Sequence, residues 1–294
     1  MLILNVSAFH GLIPSGDIMT SQLKTFMLMA ALSAVLIFMG GALGGQQGIL
    51  FALVFALIMN VGSYWYSDKI VLSMYRAQEL APEDAPIVHQ IVEELARNAG
   101  VPKPRLYIVP QDAPNAFATG RDPEHGVIAV TQGIMRLLPP EQLRGVLAHE
   151  MAHIANRDIL VQTVAGVIAS AITAIANMLQ WAMIFGGNRD EEGNSTNPLA
   201  ATLIQMAISR RREYMADAAG ASYCGDPMAL AYALNNLDAY SRQIPMQANP
   251  ATENMFIVNP LTGSSMRRLF STHPSMEERI ANLQEMARTG RYPG

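Results

Sequence analysis

Two long uncharged runs dominate the polarity pattern: "FMLMAALSAVLIFMGGAL" from Phe26 to Leu43 and "ILFALVFALIMNVGSYWY" from Ile49 to Tyr66, joined by "GGQQG". As a helix each run is about 27 Å long, close to the roughly 30 Å of a bilayer's hydrocarbon core. The pattern predicts a transmembrane helical hairpin over residues 25–67. A buried soluble hairpin would need a surrounding protein shell that the charge-rich remainder does not offer. A cleaved signal peptide is disfavoured because the second run follows at once and no small-residue cleavage site is evident. Gly40, Gly44 and Gly48 are spaced like a helix-contact motif, and beside a tight turn they read equally well as flexible turn residues.

A third apolar run, Ile159 to Phe185, is long enough to cross, but "PLAATLIQMAI", Pro198 to Ile208, gives only about 16 Å of helix. Either a strained second hairpin crosses the bilayer or one dips into it. Elsewhere the spacing changes to amphipathic helices over Pro82–Gly100, Pro139–Asp158, Ser209–Gly225, Asp226–Arg242 and His273–Gly290, with apolar residues three and four apart. Three short stretches, Arg105–Pro110, Asn115–Gly120 and Gly126–Thr131, predict strands between Pro, Asp and Gly turns. Gln243–Gly263 predicts a loop, and no internal repeat is visible. The expected class is mainly α with a small β-sheet (α+β). Its segments are a leader at 1–24 with Met19 as an alternative start, the hairpin at 25–67, a first soluble part at 68–158, a second membrane-associated hairpin at 159–208, and a second soluble part at 209–294.

Composition supports lipid contact. Charged residues are 15% of the 294, against about 25% in soluble domains, and mean hydropathy is +0.18. A net charge of −4 argues against nucleic-acid partners. The single cysteine, Cys224, forms no internal disulfide and builds no thiolate metal site alone. Lys24 before the first run and Lys69 and Arg76 after the second, with no cation in the turn, place both ends of the hairpin in the cytoplasm by the positive-inside rule.

Chemistry concentrates in "GVLAHEMAHIANRD", Gly145 to Asp158. His149 and His153 stand four apart, so one helix aims both imidazoles at one ion, and Glu150 lies beside that ion where it can take a proton from water. This H-E-x-x-H spacing points to one zinc ion with a position left open. A third ligand is needed. Asn156 and Ile159 occupy the places where a metzincin would have glycine and histidine, so the search moves to "RRREYMADAAG", where Glu213 and Asp217 are again four apart. Glu213 is the expected ligand, and Asp217 the acceptor that fixes an imidazole tautomer. Asp158 is the rival ligand, favoured instead as a hydrogen-bond acceptor at the helix end. His89 and His125 carry structural readings, and His10 lies in the leader.

"HEMAH", the "EYMAD" helix, "NAFATG" and "STHPSMEERI" together resemble the HtpX-type membrane-bound zinc metalloproteases, gluzincins related to the CAAX prenyl endoproteases. The likeness runs from about Thr20 to Arg288. It implies a gluzincin-like protease domain fused to transmembrane helices in a bacterial inner membrane, with its catalytic side in the cytoplasm. It also implies a zinc metalloendopeptidase that acts on unfolded or damaged membrane proteins under stress. Residue by residue it implies His149, His153 and Glu213 as ligands and Glu150 as the acid/base. His273 would stabilise the oxyanion, Arg279 would brace the last helix by pairing with an acid, and Asn115, Ala116 and Phe117 would form the edge along which substrate pairs. Phe117 is equally readable as plain core. The short fourth apolar segment departs from the family's four-span pattern. The alternatives are a CAAX-type processing enzyme for lipidated peptides and a zinc-stabilised membrane scaffold without turnover; Glu150 and a three-ligand site argue against the scaffold.

Overall fold

The predicted hairpin is a single helical assignment, α1 (Ser15–Met74), broken at Gly45, whose φ of 56° and ψ of −141° leave the helical region. The computed structural model describes residues 15–170, 173, 210–241, 243, 244, 246, 248–258 and 274–292. The leader before residue 15, most of the second apolar hairpin and His273 lie outside them. Two stretches of α1, Thr25–Ala42 and Gly44–Met74, are long and apolar enough to cross a membrane. Phe26, Phe38, Phe51, Leu57 and Ile58 point outward and exposed, the arrangement hydrocarbon accepts and water penalises.

The two arms nearly touch. A Cβ on Gly48 would lie 1.9 Å from the Gly40 carbonyl oxygen, and one on Gly40 would lie 2.5 Å from the Ala52 Cβ. Gly44 has nothing within 4 Å, and Gly45 takes the positive φ of the turn. The glycines therefore divide: Gly40 and Gly48 make the helix contact, and Gly45 makes the turn. Across the same interface Asn60 donates to the Ser33 hydroxyl at 2.8 Å, satisfying polar groups that lipid would leave bare.

Beyond α1 the chain forms β1 (Gln78–Glu79), α2 (Pro86–Ala99), β2 (Arg105–Val109), β3 (Ala116–Thr119), a 3-10 turn (Pro123–His125), β4 (Val127–Thr131), α3 (Gln132–Leu137) and α4 (Pro140–Ala155). α5 (Ile159–Ser170) precedes α6 (Arg210–Cys224), α7 (Pro227–Ser241), a second 3-10 turn (Pro250–Met255) and α8 (Met276–Thr289). α2 begins at Pro86 rather than Pro82: residues 82–84 form a turn, and Pro86, lacking an N–H, takes the helix's first position. The sheet runs β1-β2-β4-β3. β2 and β4 are parallel, while β1 and β3 are antiparallel to their neighbours. β3 and β4 are buried at every position, because one face of the sheet packs on α2 and α4 and the other on the end of α1.

Two contacts fasten α1 to this domain: Asp68 accepts from Arg105 at 2.7 Å, and the Arg121 guanidinium lies 4.7 Å from the Trp65 ring centroid. In the soluble core, glycines let backbones meet. A Cβ on Gly145 would lie 2.5 Å from the Leu230 nitrogen, and one on Gly220 would lie 2.8 Å from the His149 nitrogen. α4, α6 and α7 are thus held at backbone contact. α5, the start of the third apolar run, is buried almost throughout, so its described part packs inside the protein.

Candidate metal centre

α4 presents His149 and His153 one turn apart, their rings nearly perpendicular (89°) with centroids 4.7 Å apart. Both are buried. His149 Nδ1 lies 2.9 Å from Asp217 Oδ1, and His153 Nδ1 lies 3.2 Å from both carboxylate oxygens of Asp158. A carboxylate only accepts, so each ring donates its Nδ1–H and turns Nε2 towards the other ring. The two Nε2 atoms face each other at 3.1 Å, a spacing bridged by a proton or, with both rings neutral, by a shared cation.

Glu213, from the first turn of α6, completes the group. Its Oε2 lies 3.8 Å from His149 Nε2 and its Oε1 3.8 Å from His153 Nε2. Histidine and glutamate donor atoms all fall within 4.8 Å of one another. Ligands about 2.1 Å from a tetrahedral zinc sit about 3.4 Å apart, so the residues present fit such an ion. Asp158 stands behind the His153 ring, not in this triangle. Asp217 stands behind His149, as the four-residue spacing from Glu213 predicts.

Asp217 is gripped in turn. Arg279, on α8, donates to it from Nε at 2.8 Å and Nη2 at 2.7 Å, and from Nη1 to the Ile257 carbonyl at 3.1 Å. Arg279 is 0% exposed. Burial would raise the Asp217 carboxyl, but Arg279 and His149 outweigh it and hold it well below the usual carboxylate range. Burial also depresses His149, reinforced by the nearby charges of Arg279 and His153.

Glu150 is 1% exposed, and among the described residues no side chain hydrogen-bonds its carboxylate, which the Ala118 backbone of β3 faces. Burial, with help from Glu213, pushes its carboxyl up to about 8 against the opposing charges of His153 and Arg279. A carboxyl so placed holds or releases a proton near neutral pH. His153 is pulled down by burial and raised further by the Asp158, Glu213 and Glu150 carboxylates, to about 9.

The expected substrate edge differs from its prediction. Asn115, Ala116 and Phe117 are buried and already engaged. Asn115 Nδ2 donates to the Val258 carbonyl at 2.8 Å, the Val258 amide donates to Asn115 Oδ1 at 3.3 Å, the Ile257 amide donates to the Ala116 carbonyl at 3.1 Å, and Phe117 forms an antiparallel bridge with Phe256. The edge at the start of β3, from Asn115 to Phe117, is therefore occupied by a segment inside the predicted loop, while the Ala118 backbone faces Glu150. Its apolar run "MFIV", Met255–Val258, was the signal available to sequence reasoning. Arg212 was also missed, hidden in a charge run that reads as a solvated face. Its guanidinium nitrogens are buried without hydrogen bonds to the described residues, with Asp158 Oδ2 3.9 Å away. His89 bonds the Leu80 carbonyl at 2.8 Å and His125 bonds Asp122, both remote from the group.

The family model for peptidase family M48 matches residues 82–287. The chain is 52% identical to a protease HtpX homolog of Syntrophobacter fumaroxidans, covering 91% of this chain and 100% of that one. It is 51% identical to a protease HtpX homolog of Desulforapulum autotrophicum, covering 92% of each. A crystal structure of S. mikatae Ste24p aligns at TM-score 0.46 and 16% identity, covering 92% of this chain and 67% of that one.

Proposed function

This chain belongs to peptidase family M48 and is a membrane metalloprotease, and from that premise we propose that it is a zinc endopeptidase of unfolded or damaged membrane proteins. The donor set supports one zinc ion held by His149 Nε2, His153 Nε2 and a Glu213 oxygen. When bound there, zinc supplies Lewis-acid polarisation of a scissile carbonyl and acidifies water. Glu150 takes a proton from the attacking water on its buried carboxylate and passes it to the leaving amine. Asp217 and Asp158 orient the two imidazoles through Nδ1, and Arg279 fixes Asp217. His273 is proposed, from the family resemblance, as the oxyanion donor; it lies outside the described residues.

The outward-facing apolar arms of α1 support action at a bilayer. The cation pattern supports a multi-pass protein in a bacterial inner membrane with its active side in the cytoplasm. The observation that carries the reading is the pairing of a three-residue group of metal-ligand type with the buried carboxylate of Glu150 beside it, which a purely structural metal site does not need. Glu150→Gln is the direct test. It is expected to retain zinc, measured by elemental analysis, and to lose hydrolysis of an unfolded membrane-protein substrate. A fully active variant refutes the assignment.

A further inference from the structure

The edge of β3 is paired through the backbone of residues 256–258. The Ile257 amide donates to the Ala116 carbonyl, both backbone groups of Val258 meet the Asn115 amide, and the Ile257 carbonyl accepts from Arg279 at 3.1 Å. None of these bonds reads a side chain of the segment. They are the bonds by which any extended peptide adds to a sheet edge. The Phe256 ring fills an apolar place between Tyr75 and Phe117, each centroid 5.2 Å away. The Tyr75 hydroxyl bonds the Thr252 hydroxyl, tying the preceding turn to the end of α1. Through Arg279 and Asp217 the Ile257 carbonyl is linked to the ring of His149.

We infer that Phe256–Val258 is a built-in pseudosubstrate strand, occupying the backbone positions on β3 that an extended peptide must take, so that substrate binds by displacing it. The inference rests on the peptidase reading above and adds a selection rule to it. A folded chain has no free strand to offer, whereas an unfolded one that supplies the same backbone bonds and an aromatic or large aliphatic side chain exchanges like for like. An occupant in the same chain competes at high effective concentration, so substrates lacking that apolar residue lose the exchange.

The test uses full-length, zinc-loaded protein in detergent with fluorescently labelled unfolded casein. Ile257→Pro removes the N–H that Ala116 accepts, and Tyr75→Phe removes the hydroxyl that holds Thr252. Each is expected to raise kcat/KM about five-fold, the worth of one hydrogen bond, chiefly by lowering KM. The opposite arm locks the strand. Phe117 and Phe256 face each other as a pair without mutual hydrogen bonds, at a spacing a disulfide accepts. Cysteines at both, with Cys224→Ser, are expected to give an oxidised form at least about ten-fold slower than the same protein reduced with a phosphine. An oxidised form as fast as the reduced one overturns the inference, as do folded, zinc-loaded release variants that cleave no faster than wild type. Zinc-loaded wild type that cleaves nothing, in detergent or vesicles, overturns the peptidase reading and this inference with it.

Discussion

The guanidinium of Arg279 holds the Asp217 carboxylate through two hydrogen bonds, 2.8 Å from Nε and 2.7 Å from Nη2, with neither side chain reached by solvent. A planar fork on a carboxylate cannot be reproduced by an ammonium. Because Asp217 sets the His149 ring, Arg279→Lys is expected to weaken zinc binding about 10–100-fold, measured by chelator competition. Arg279→Met, which strands a buried aspartate, should in addition lower folding stability by about 3–5 kcal/mol. Unchanged metal affinity in Arg279→Lys would separate the arginine from the metal group.

With the metal chelated, pH acts on stability through Glu150. Its folded pKa of about 8 lies above its unfolded value, so between about pH 4.5 and 8 the folded state keeps a proton that the unfolded state has lost, and stability falls as pH rises. His153, raised to about 9, contributes stability that is complete below about pH 6.5 and disappears as pH climbs through 9. Glu150→Gln is expected to flatten the first part of this decline. Urea midpoints of chelated protein at pH 5 and pH 8 should differ less in the variant, and an equal difference would contradict it.

Gly220 is where α6 meets the backbone of α4. Gly220→Val places a branched side chain where even a Cβ would sit 2.8 Å from the His149 nitrogen. Forcing the helices apart moves Glu213 away from the imidazoles. Zinc content at equal protein concentration should fall, together with a stability loss of about 1–3 kcal/mol. Gly225→Asn, on the same helix's exit and with open space around it, should retain zinc.

In the hairpin the three spaced glycines are expected to separate in mutants. Gly48→Leu drives a side chain into the Gly40 carbonyl and should sharply lower the folded yield in membranes, whereas Gly44→Ala, facing open space, should leave it unchanged. Expression with a folding-dependent fluorescent reporter reads both.

The metal group was legible because its residues repeat at a helical interval: the candidate ligands His149 and His153 on α4, and the candidate ligand Glu213 with its neighbour Asp217 on α6, each pair one turn apart. Strands β2, β3 and β4 were legible as short runs bounded by Pro, Asp and Gly turns. What local pattern cannot carry is which distant segments meet. Val258 bonds Asn115 across 143 residues, so "MFIV" read as loop and the β3 edge read as open. Burial in protein and burial in lipid demand the same apolar residues, so the sequence alone does not say that Ile159–Ser170 packs inside the protein. Arg212 shares its charge run with Arg211, which is exposed, and nothing in the run says which guanidinium turns inward.

α1 enters the catalytic domain without a tether: β1 begins at Gln78, four positions after Met74, and Asp68 and Trp65 are already clamped to arginines of the domain. The metal group is therefore rigidly mounted on its apolar helices. On the function proposed above, a polypeptide reaches the scissile position through its own slack and not through any swing of the enzyme.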